Sequence, residues 1–237
     1  MQNIDEIYTS VVVVAAGSGT RMELKEKKQF VKIGGVPLLV RTLFVFENCK
    51  QINEIIMVVN EEDISYCKRK IIERYKLYKV KTIVGGGDDR QQSVFNGLIE
   101  TSSHADIVMI QDGARPFTDE DIIARCIEGA YKYGAAIPAV KVKDTIKSAD
   151  EDGFVLNTID RTKLWAVQTP QTFQRQLLID AYIKVSEDIN TYTDDSMIVE
   201  SIGARVKIVE GSYRNIKITT QDDLIVAEGI ANNTISH

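Results

Sequence analysis

The sequence predicts an α/β fold: a mostly parallel sheet with helices on both faces and an inserted β-hairpin arm. Three observations support this prediction. Short apolar runs recur along the chain with segments of helical spacing between them. The first run contains four consecutive valines, residues 11–14, which suit a strand buried on both faces. Polar motifs follow the ends of several runs, where an open sheet of this kind binds its ligands. The expected architecture is therefore Rossmann-like, in a single domain over residues 1–237.

The elements follow in order along the chain. The runs predicted as strands are residues 11–16, 55–60, 81–84, 107–111, 135–140 and 206–209. The segments predicted as helices are residues 38–46, 63–75, 93–100 and 119–133. In the last helix Ile122, Ile123, Ile127 and Ala130 recur at the spacing of one buried face.

Between residues 140 and 172 the pattern changes. Alternating residues flank the turn signal Asp-Glu-Asp-Gly at 150–153, which predicts a β-hairpin. A projecting hairpin exposes strand edges unless another surface covers them, and a second subunit is a natural cover. We therefore expect a dimerisation arm at about residues 140–169.

Composition excludes several classes of function. The net charge of −5 disfavours a general nucleic-acid binder, which carries an excess of Lys and Arg. Three scattered cysteines without a Cys-x-x-Cys pair disfavour a zinc site or a disulfide framework. No apolar run approaches the roughly 18 residues of a membrane span, and Asp5 and Glu6 stand where a signal peptide carries positive charge. The expected location is the cytoplasm.

Histidine chemistry is also disfavoured. The chain has two histidines, His104 and His237, and neither is near a plausible nucleophile. A reaction without His or reactive Cys must depend on positioning, metal and fixed cations.

The most informative segment is residues 10–22, where the valine strand enters a turn of small residues that ends in Arg21. Lys28 follows shortly afterwards. Backbone N–H groups in such a turn can approach a polyphosphate, and the cations can neutralise charge that develops on phosphorus. The turn lacks the Gly-Lys-Ser/Thr of a P-loop, and Met22 replaces the third glycine of a dinucleotide fingerprint. A purely structural turn at Gly17 and Gly19 is the alternative, and we expect Lys25 and Lys27 to be solvated.

Two later motifs allow two interpretations each. Ser93 follows the Gly-rich run 85–90 and either caps the next helix or hydrogen-bonds a nucleotide base. Asp112 and Arg115 either form a plain ion pair or meet a metal-bound triphosphate and a substrate phosphate. The motifs at 160–165, 168–171, 193–195 and 215–219 add hydroxyls and cations that suit a phosphate and a polyol.

Together these motifs resemble those of one family, the 2-C-methyl-D-erythritol 4-phosphate cytidylyltransferases of the non-mevalonate isoprenoid pathway. The resemblance covers essentially the whole chain. The matching motifs are Ala-Ala-Gly-Ser-Gly-Thr-Arg-Met, Lys-Gln-Phe, Gly-Gly-Asp-Asp-Arg with Ser-Val, Val-Lys-Asp-Thr, Asp-Arg with Leu-Trp, Thr-Pro-Gln, Thr-Asp-Asp and Asn-Ile-Lys-Ile-Thr. It implies a Mg²⁺-dependent homodimeric nucleotidyltransferase that uses CTP as co-substrate. A substrate phosphate oxygen would attack the α-phosphorus of CTP and expel pyrophosphate.

The resemblance also implies roles for individual residues. Arg21 and Lys28 would be catalytic and stabilise the transition state. The residues implied for CTP are Ala15, Ala16, Gly17, Gly87, Asp88 and Ser93. The residues implied for the sugar-alcohol phosphate are Asp112, Arg115, Thr145, Arg161, Thr169, Thr193 and Lys217. Thr145 and Arg161 would act in the partner's pocket, and Asp112 is the candidate metal ligand. Two positions depart from the family pattern, Gln111 for His and Glu23 for Gly.

Two alternatives remain open. The sister family that acts on ribitol 5-phosphate shares several motifs, but it typically begins Leu-Ala-Gly-Gly and lacks the Asp-Arg and Leu-Trp signature found here at 160–165. A non-catalytic nucleotide-binding regulatory module would keep the fold without transfer. The presence of Arg21, Lys28, Arg161 and Lys217 counts against it.

Overall fold

We describe residues 6–17, 27–185 and 192–234 of a computed structural model. In this part of the chain the strands are β1 (Thr9–Val14), β2 (Lys32–Ile33), β3 (Val36–Pro37), β4 (Glu54–Val59), β5 (Val80–Gly85), β6 (Ile107–Asp112), β7 (Ala135–Lys141), β8 (Ile146–Ala149), β9 (Val155–Ile159), β10 (Trp165–Val167), β11 (Gln171–Gln174) and β12 (Lys207–Glu210). The α-helices are α1 (Leu38–Asn48), α2 (Ile64–Tyr66), α3 (Arg90–Ile99), α4 (Glu120–Tyr133), α5 (Arg175–Lys184), α6 (Asp195–Ser201) and α7 (Gln221–Thr234). A π-helical stretch, Cys67–Glu73, continues α2.

An eight-stranded sheet forms the centre of the molecule. Its order is β10-β7-β11-β6-β1-β4-β5, and β12 pairs with β7. The strands β6, β1, β4 and β5 are parallel to one another, as is the pair β7 and β12. The predicted α/β architecture with a mostly parallel sheet is therefore confirmed.

Helices cover both faces of the sheet, which explains the unbroken apolar run of β1. Val11 and Val13 pack into the cluster that includes Leu43 of α1, whereas Val12 packs into the cluster that includes Leu98 of α3. Because successive residues of a strand point to opposite faces, a strand covered on both sides needs an apolar residue at every position.

Two strands of the sheet run against the parallel direction, and the sequence did not predict them. β11 lies antiparallel between β6 and β7, and β10 pairs antiparallel with β7. The segment Gln171–Gln174 has two terminal glutamines instead of an apolar run, so its periodicity gave no signal. Gln171 is nevertheless buried, because its amide bonds the Asp194 carboxylate at 2.9 Å and accepts from the Ser196 N–H at 2.9 Å.

The predicted hairpin is present as β8 and β9, which pair antiparallel in a sheet of their own. All five residues of β9 are exposed, and the neighbouring Phe154 is 72% exposed. The role of this hairpin as a dimerisation arm, and the division of the chain into one domain with an arm, remain predictions.

The turns that leave β1, β4 and β6 meet at one edge of the sheet. Ala15 N–H donates to Val58 O at 2.7 Å, and Gly113 N–H donates to Val14 O at 2.8 Å. These bonds bring the first loop and the Asp112 loop side by side. Over the described ranges, none of the helices combines the length and the apolar composition required to cross a membrane.

Candidate active site

A cavity of about 560 Å³ opens at this edge, between the N-terminus of α3 and the segment that precedes α7. Nine of the predicted site residues line it: Ala15, Ala16, Gly17, Lys28, Gly87, Asp88, Ser93, Asp112 and Lys217. The chain thus gathers into one pocket residues that are spread over most of its length.

The first loop forms the floor of the pocket. Ala15 lies so close to Gly113 that a Cβ at position 113 would come within 2.9 Å of the Ala15 Cβ and 3.0 Å of Val14 O. Glycine is therefore required at 113 for the two loops to touch. The predicted catalytic Arg21 and the neighbouring Lys25 lie outside the described residues.

The two adjacent lysines, Lys27 and Lys28, have different surroundings. Lys28 begins a short 3₁₀ turn, Lys28–Phe30, and lines the pocket. Lys27 differs from the solvated side chain that we expected: its ammonium pairs with Glu62 and, at 2.8 Å, with Asp63. Of the two, Lys28 is therefore the one that faces the pocket.

The second wall comes from the Gly-rich run and α3. The helix is capped by Asp89, whose carboxylate accepts from Gln92 N–H at 2.7 Å, so the interpretation of Ser93 as the cap is wrong. The Ser93 hydroxyl instead donates to Asp89 O at 2.8 Å and accepts from Gly87 N–H at 3.0 Å. Ser93 therefore fixes the backbone of Gly87 at the pocket wall.

Asp112 is the centre of a charge cluster. Its carboxylate lies 2.8 Å from Lys217 Nζ, 3.7 Å from Arg115 Nε and 3.7 Å from Arg90 Nε. Burial alone would raise the pKa of Asp112, but the three cations outweigh it and hold the pKa below the ordinary value. The plain Asp112–Arg115 pair considered from the sequence is thus part of a larger set, of which Arg90, Asp112 and Lys217 line the pocket.

Sequence reasoning missed the residues behind this cluster. Arg90 Nη2 donates to Asp195 Oδ2 at 2.7 Å, and Tyr182 OH donates to Asp195 Oδ1 at 2.6 Å. Burial, together with the negative charge of Asp195, raises the pKa of Tyr182, so the phenol stays a donor. Arg90 stands in a motif that the sequence singled out, but nothing local identifies a partner as distant as Asp195.

Thr169 lies behind Asp112. Its hydroxyl donates to Gln111 Oε1 at 2.9 Å and accepts from Asp112 N–H at 3.1 Å, and the residue is only 4% exposed. Gln111 Nε2 also donates to Arg115 O at 3.1 Å. These three bonds support the loop that carries Asp112 and Arg115.

Five predicted substrate residues are absent from the lining of this pocket. Arg115 and Thr169 lie beside Asp112, and the other three lie elsewhere. Thr145 precedes β8 and Arg161 follows β9, so both belong to the exposed hairpin region. The Arg161 guanidinium donates to Lys143 O of the same arm. Thr193 is exposed just before α6. One chain therefore brings together the CTP residues and the Asp112–Lys217 pair, but not the arm residues.

A divalent cation could use few protein ligands here. Within the described ranges, no three His, Cys, Asp or Glu side chains come together as a metal site. Asp112 offers one carboxylate, and its oxygens already face three cations. Because Mg²⁺ is often held by one or two carboxylates and by substrate phosphates, these residues fit only a cation that a triphosphate carries.

Comparisons of sequence and of structure with known proteins all match the chain to the same family. A model of the 2-C-methyl-D-erythritol 4-phosphate cytidylyltransferase family matches residues 9–233. The protein of that name from Alkaliphilus oremlandii is 49% identical over 230 residues, with 97% of each chain covered. The one from Caldanaerobacter subterraneus subsp. tengcongensis is 47% identical over 219 residues, which cover 92% of this chain and 96% of that protein. The crystal structure of 4-diphosphocytidyl-2C-methyl-D-erythritol synthase from Anaerococcus prevotii superposes with a TM-score of 0.83 at 36% identity, covering 97% of this chain and 98% of the other.

Proposed function

Because the chain belongs to the 2-C-methyl-D-erythritol 4-phosphate cytidylyltransferase family, we propose that the pocket beside Asp112 is where it transfers a cytidylyl group from CTP to 2-C-methyl-D-erythritol 4-phosphate. The products are 4-diphosphocytidyl-2-C-methyl-D-erythritol and pyrophosphate. The observation that carries the location is the meeting, in one cavity, of the predicted CTP residues with Asp112 and Lys217.

The chemistry needs cations more than it needs a base. The attacking substrate phosphate is already ionised, so no side chain has to remove a proton from it. Both reactants are anions, however, and their repulsion must be offset. The cluster around Asp112 holds three cations, Arg90, Arg115 and Lys217, against two carboxylates, Asp112 and Asp195, so the cluster itself carries one net positive charge.

Lys217 and Arg115 are the groups that we assign to the substrate phosphate. The Lys217 side chain is 41% exposed, whereas that of Arg115 is 11% exposed, so Lys217 is the more accessible of the two. Asp112 holds both cations near one point. Thr169 then acts through the Asp112 loop, because its hydroxyl already bonds Gln111 and the Asp112 N–H.

The cytidine nucleotide is assigned to the opposite wall. The small residues Ala15, Ala16 and Gly17 allow the backbone to approach the triphosphate, and Gly87 with Asp88 and Ser93 would hold the nucleoside. Lys28 lines the same cavity and, with Arg21, would stabilise charge on the α-phosphate in the transition state.

We also propose Mg²⁺ as the cofactor, held mainly by the triphosphate with Asp112 as the protein oxygen within reach. When bound, the cation would neutralise phosphate charge and polarise the reacting phosphorus. The protein residues then orient the two substrates around it.

The arm is proposed to complete the pocket of a second subunit. Thr145 and Arg161 do not line their own chain's pocket, and the arm exposes Phe154, Val155 and Leu156, an apolar surface suited to burial in a dimer. Mixing a Lys28→Ala chain with an Arg161→Ala chain tests the idea, because a heterodimer would contain one site with both residues intact. Recovery of activity is expected. If subunits exchange and no activity returns, Arg161 serves its own chain.

A cytoplasmic location remains our proposal for the compartment. All three cysteines, Cys49, Cys67 and Cys126, are buried free thiols, which suits a reducing environment.

The function is tested by pyrophosphate release with CTP and each polyol phosphate in competition, which gives the ratio of kcat/KM directly. We expect 2-C-methyl-D-erythritol 4-phosphate to be preferred, and a preference for ribitol 5-phosphate would overturn the substrate assignment. Lys217→Gln should raise KM for the polyol phosphate, with Lys70→Gln, an exposed lysine outside the pocket, as control. Binding of CTP without any transfer would favour a regulatory module.

A further inference from the structure

Arg90 lies between two carboxylates that belong to different parts of the fold. It is the first residue of α3, and its Nη2 bonds Asp195 of α6 at 2.7 Å. Its Nε faces Asp112, at the end of β6, at 3.7 Å. Tyr182 of α5 donates to the other oxygen of Asp195 at 2.6 Å. Residues from four elements therefore form one connected network around Asp195 and Arg90.

This arrangement differs from an ordinary surface ion pair. Asp195 is fully buried, and burying a carboxylate costs free energy unless a cation and hydrogen bonds compensate for the lost water. Arg90 supplies the cation and Tyr182 supplies a second donor. The remaining Nη1 of Arg90 is buried without a hydrogen-bond partner among the described residues. The guanidinium is thus held by Asp195 and presents its Nε edge to Asp112.

The elements joined in this way carry the two halves of the pocket. α3 holds Ser93, which fixes Gly87 on the nucleotide side. Asp112 holds Lys217 on the substrate-phosphate side. The geometry points to Arg90 as a positioning residue of the transfer reaction: clamped by Asp195 and Tyr182, it holds Asp112 and the cations of the phosphate side at a fixed distance from the nucleotide wall. This inference rests on the proposed function and deepens it.

The role requires the shape of arginine as well as its charge. A guanidinium is a planar fork that can face two carboxylates at once, whereas an ammonium is a point charge on a flexible stem. Arg90→Lys therefore keeps the net charge of the cluster but loses one of the two contacts. Tyr182→Phe should have a smaller effect on the position of Arg90, because it removes only the hydroxyl that donates a hydrogen bond to Asp195.

The experiment compares these two variants with Arg175→Lys, a matched control. Arg175 is half-buried and bonds Thr101 through Nε at 3.0 Å and through Nη2 at 3.3 Å, outside the lining of the pocket. For each protein we would measure Tm, kcat and KM for both substrates. A misplacement of about 1 Å can lower a rate by about 10²-fold, so we expect a fall in kcat of that order for Arg90→Lys and a smaller fall for Tyr182→Phe. Arg175→Lys should lower Tm without changing kcat.

The Arg90→Lys/Tyr182→Phe double variant supplies a second measurement. Because both changes act on Asp195, their effects on kcat should be less than additive, whereas Arg90→Lys and Arg175→Lys should add. An unchanged kcat with a raised KM for CTP would make Arg90 a ligand contact, and a lower Tm alone would make it structural; either result overturns the inference. If Arg90→Lys does not fold, an unchanged kcat in Tyr182→Phe overturns it instead. An inactive wild-type protein would contradict the proposed function, which keeps the two failures distinct.

Discussion

Gly97→Ala tests how tightly α3 is set against the sheet that supports the pocket. Gly97 faces the two central strands, where a Cβ would lie 2.5 Å from Val12 Cγ1 and 2.7 Å from Val58 Cγ2. Ordinary van der Waals contact begins at 3.4 Å, and both valines are fully buried. The added methyl group therefore cannot be accommodated unless the helix moves away from β1 and β4.

Two opposing effects determine how much Gly97→Ala changes the free energy of unfolding. Alanine is favoured over glycine in a helix by about 1 kcal/mol. Overpacking a close-packed core costs typically about 1–3 kcal/mol, and we expect the upper end here because neither valine has space to move into. The net loss of unfolding free energy is then about 2 kcal/mol, which for a chain of this size lowers Tm by about 4–8 °C.

The assay is thermal and urea unfolding, together with KM for CTP. The matched control is Gly229→Ala in α7, where a Cβ would meet nothing within 4 Å. That variant should be as stable as the wild type or more stable by up to about 1 kcal/mol. Gly97→Ala should also raise KM for CTP, because α3 carries Ser93. A Gly97→Ala protein that unfolds at or above the wild-type Tm would refute the reasoning.

The remaining predictions concern the pocket and the helix that follows it. Lys28→Ala should lower kcat by about 10²–10³-fold with little change in CTP affinity, as is typical for loss of one donor to a developing oxyanion, whereas Lys27→Ala should keep kcat within a few-fold. Steady-state kinetics gives kcat and KM, and a CTP titration gives the affinity for CTP. A normal kcat with a raised KM would assign Lys28 to ground-state binding. Asp223 and Thr220 form reciprocal bonds at the start of α7, where the Asp223 carboxylate accepts from Thr220 N–H at 2.8 Å and Thr220 Oγ1 accepts from Asp223 N–H at 3.2 Å. Burial alone would raise the pKa of Asp223, but bonds from Thr219 and Thr220 lower it, so its stabilising effect is present at neutral pH and is lost as pH falls through the folded-state value. Asp223→Asn should therefore lower the free energy of unfolding at pH 7 by about 1 kcal/mol, and the difference from wild type should shrink below about pH 4 in urea titrations. A difference that stays constant with pH would show that the ionised carboxylate is not responsible.

The sequence predicted the parts of the fold whose cause is local. The valine run of β1 must be covered on both faces, and this requirement is visible in the residues themselves. The loops after β1 and β6 were predicted as ligand sites because the carboxyl ends of parallel strands share one edge of the sheet. The family resemblance, which rests on short motifs, is confirmed over residues 9–233.

What the sequence did not predict depends on distant partners. β11 buries Gln171, whose partners Asp194 and Ser196 belong to another segment, so no hydrophobic period marks the strand. The role of Arg90 depends on its hydrogen bond to Asp195, which is more than a hundred positions away in the sequence. For Ser93 the sequence left both capping and nucleotide binding open, and Asp89 fills the capping role, because two polar residues near a helix start cannot be told apart by spacing alone.

The late position of Lys217 has a consequence for protein synthesis. A ribosome-bound chain that has emerged only as far as α6 can pair β1 with β4 and β6, but it lacks β12 and Lys217. Its β7 has an open edge, and its pocket lacks one wall. A ligand that needs the whole pocket stabilises only molecules in which that pocket exists. CTP should therefore protect chains that extend beyond Lys217 and Thr219 from proteolysis while leaving shorter nascent chains unprotected.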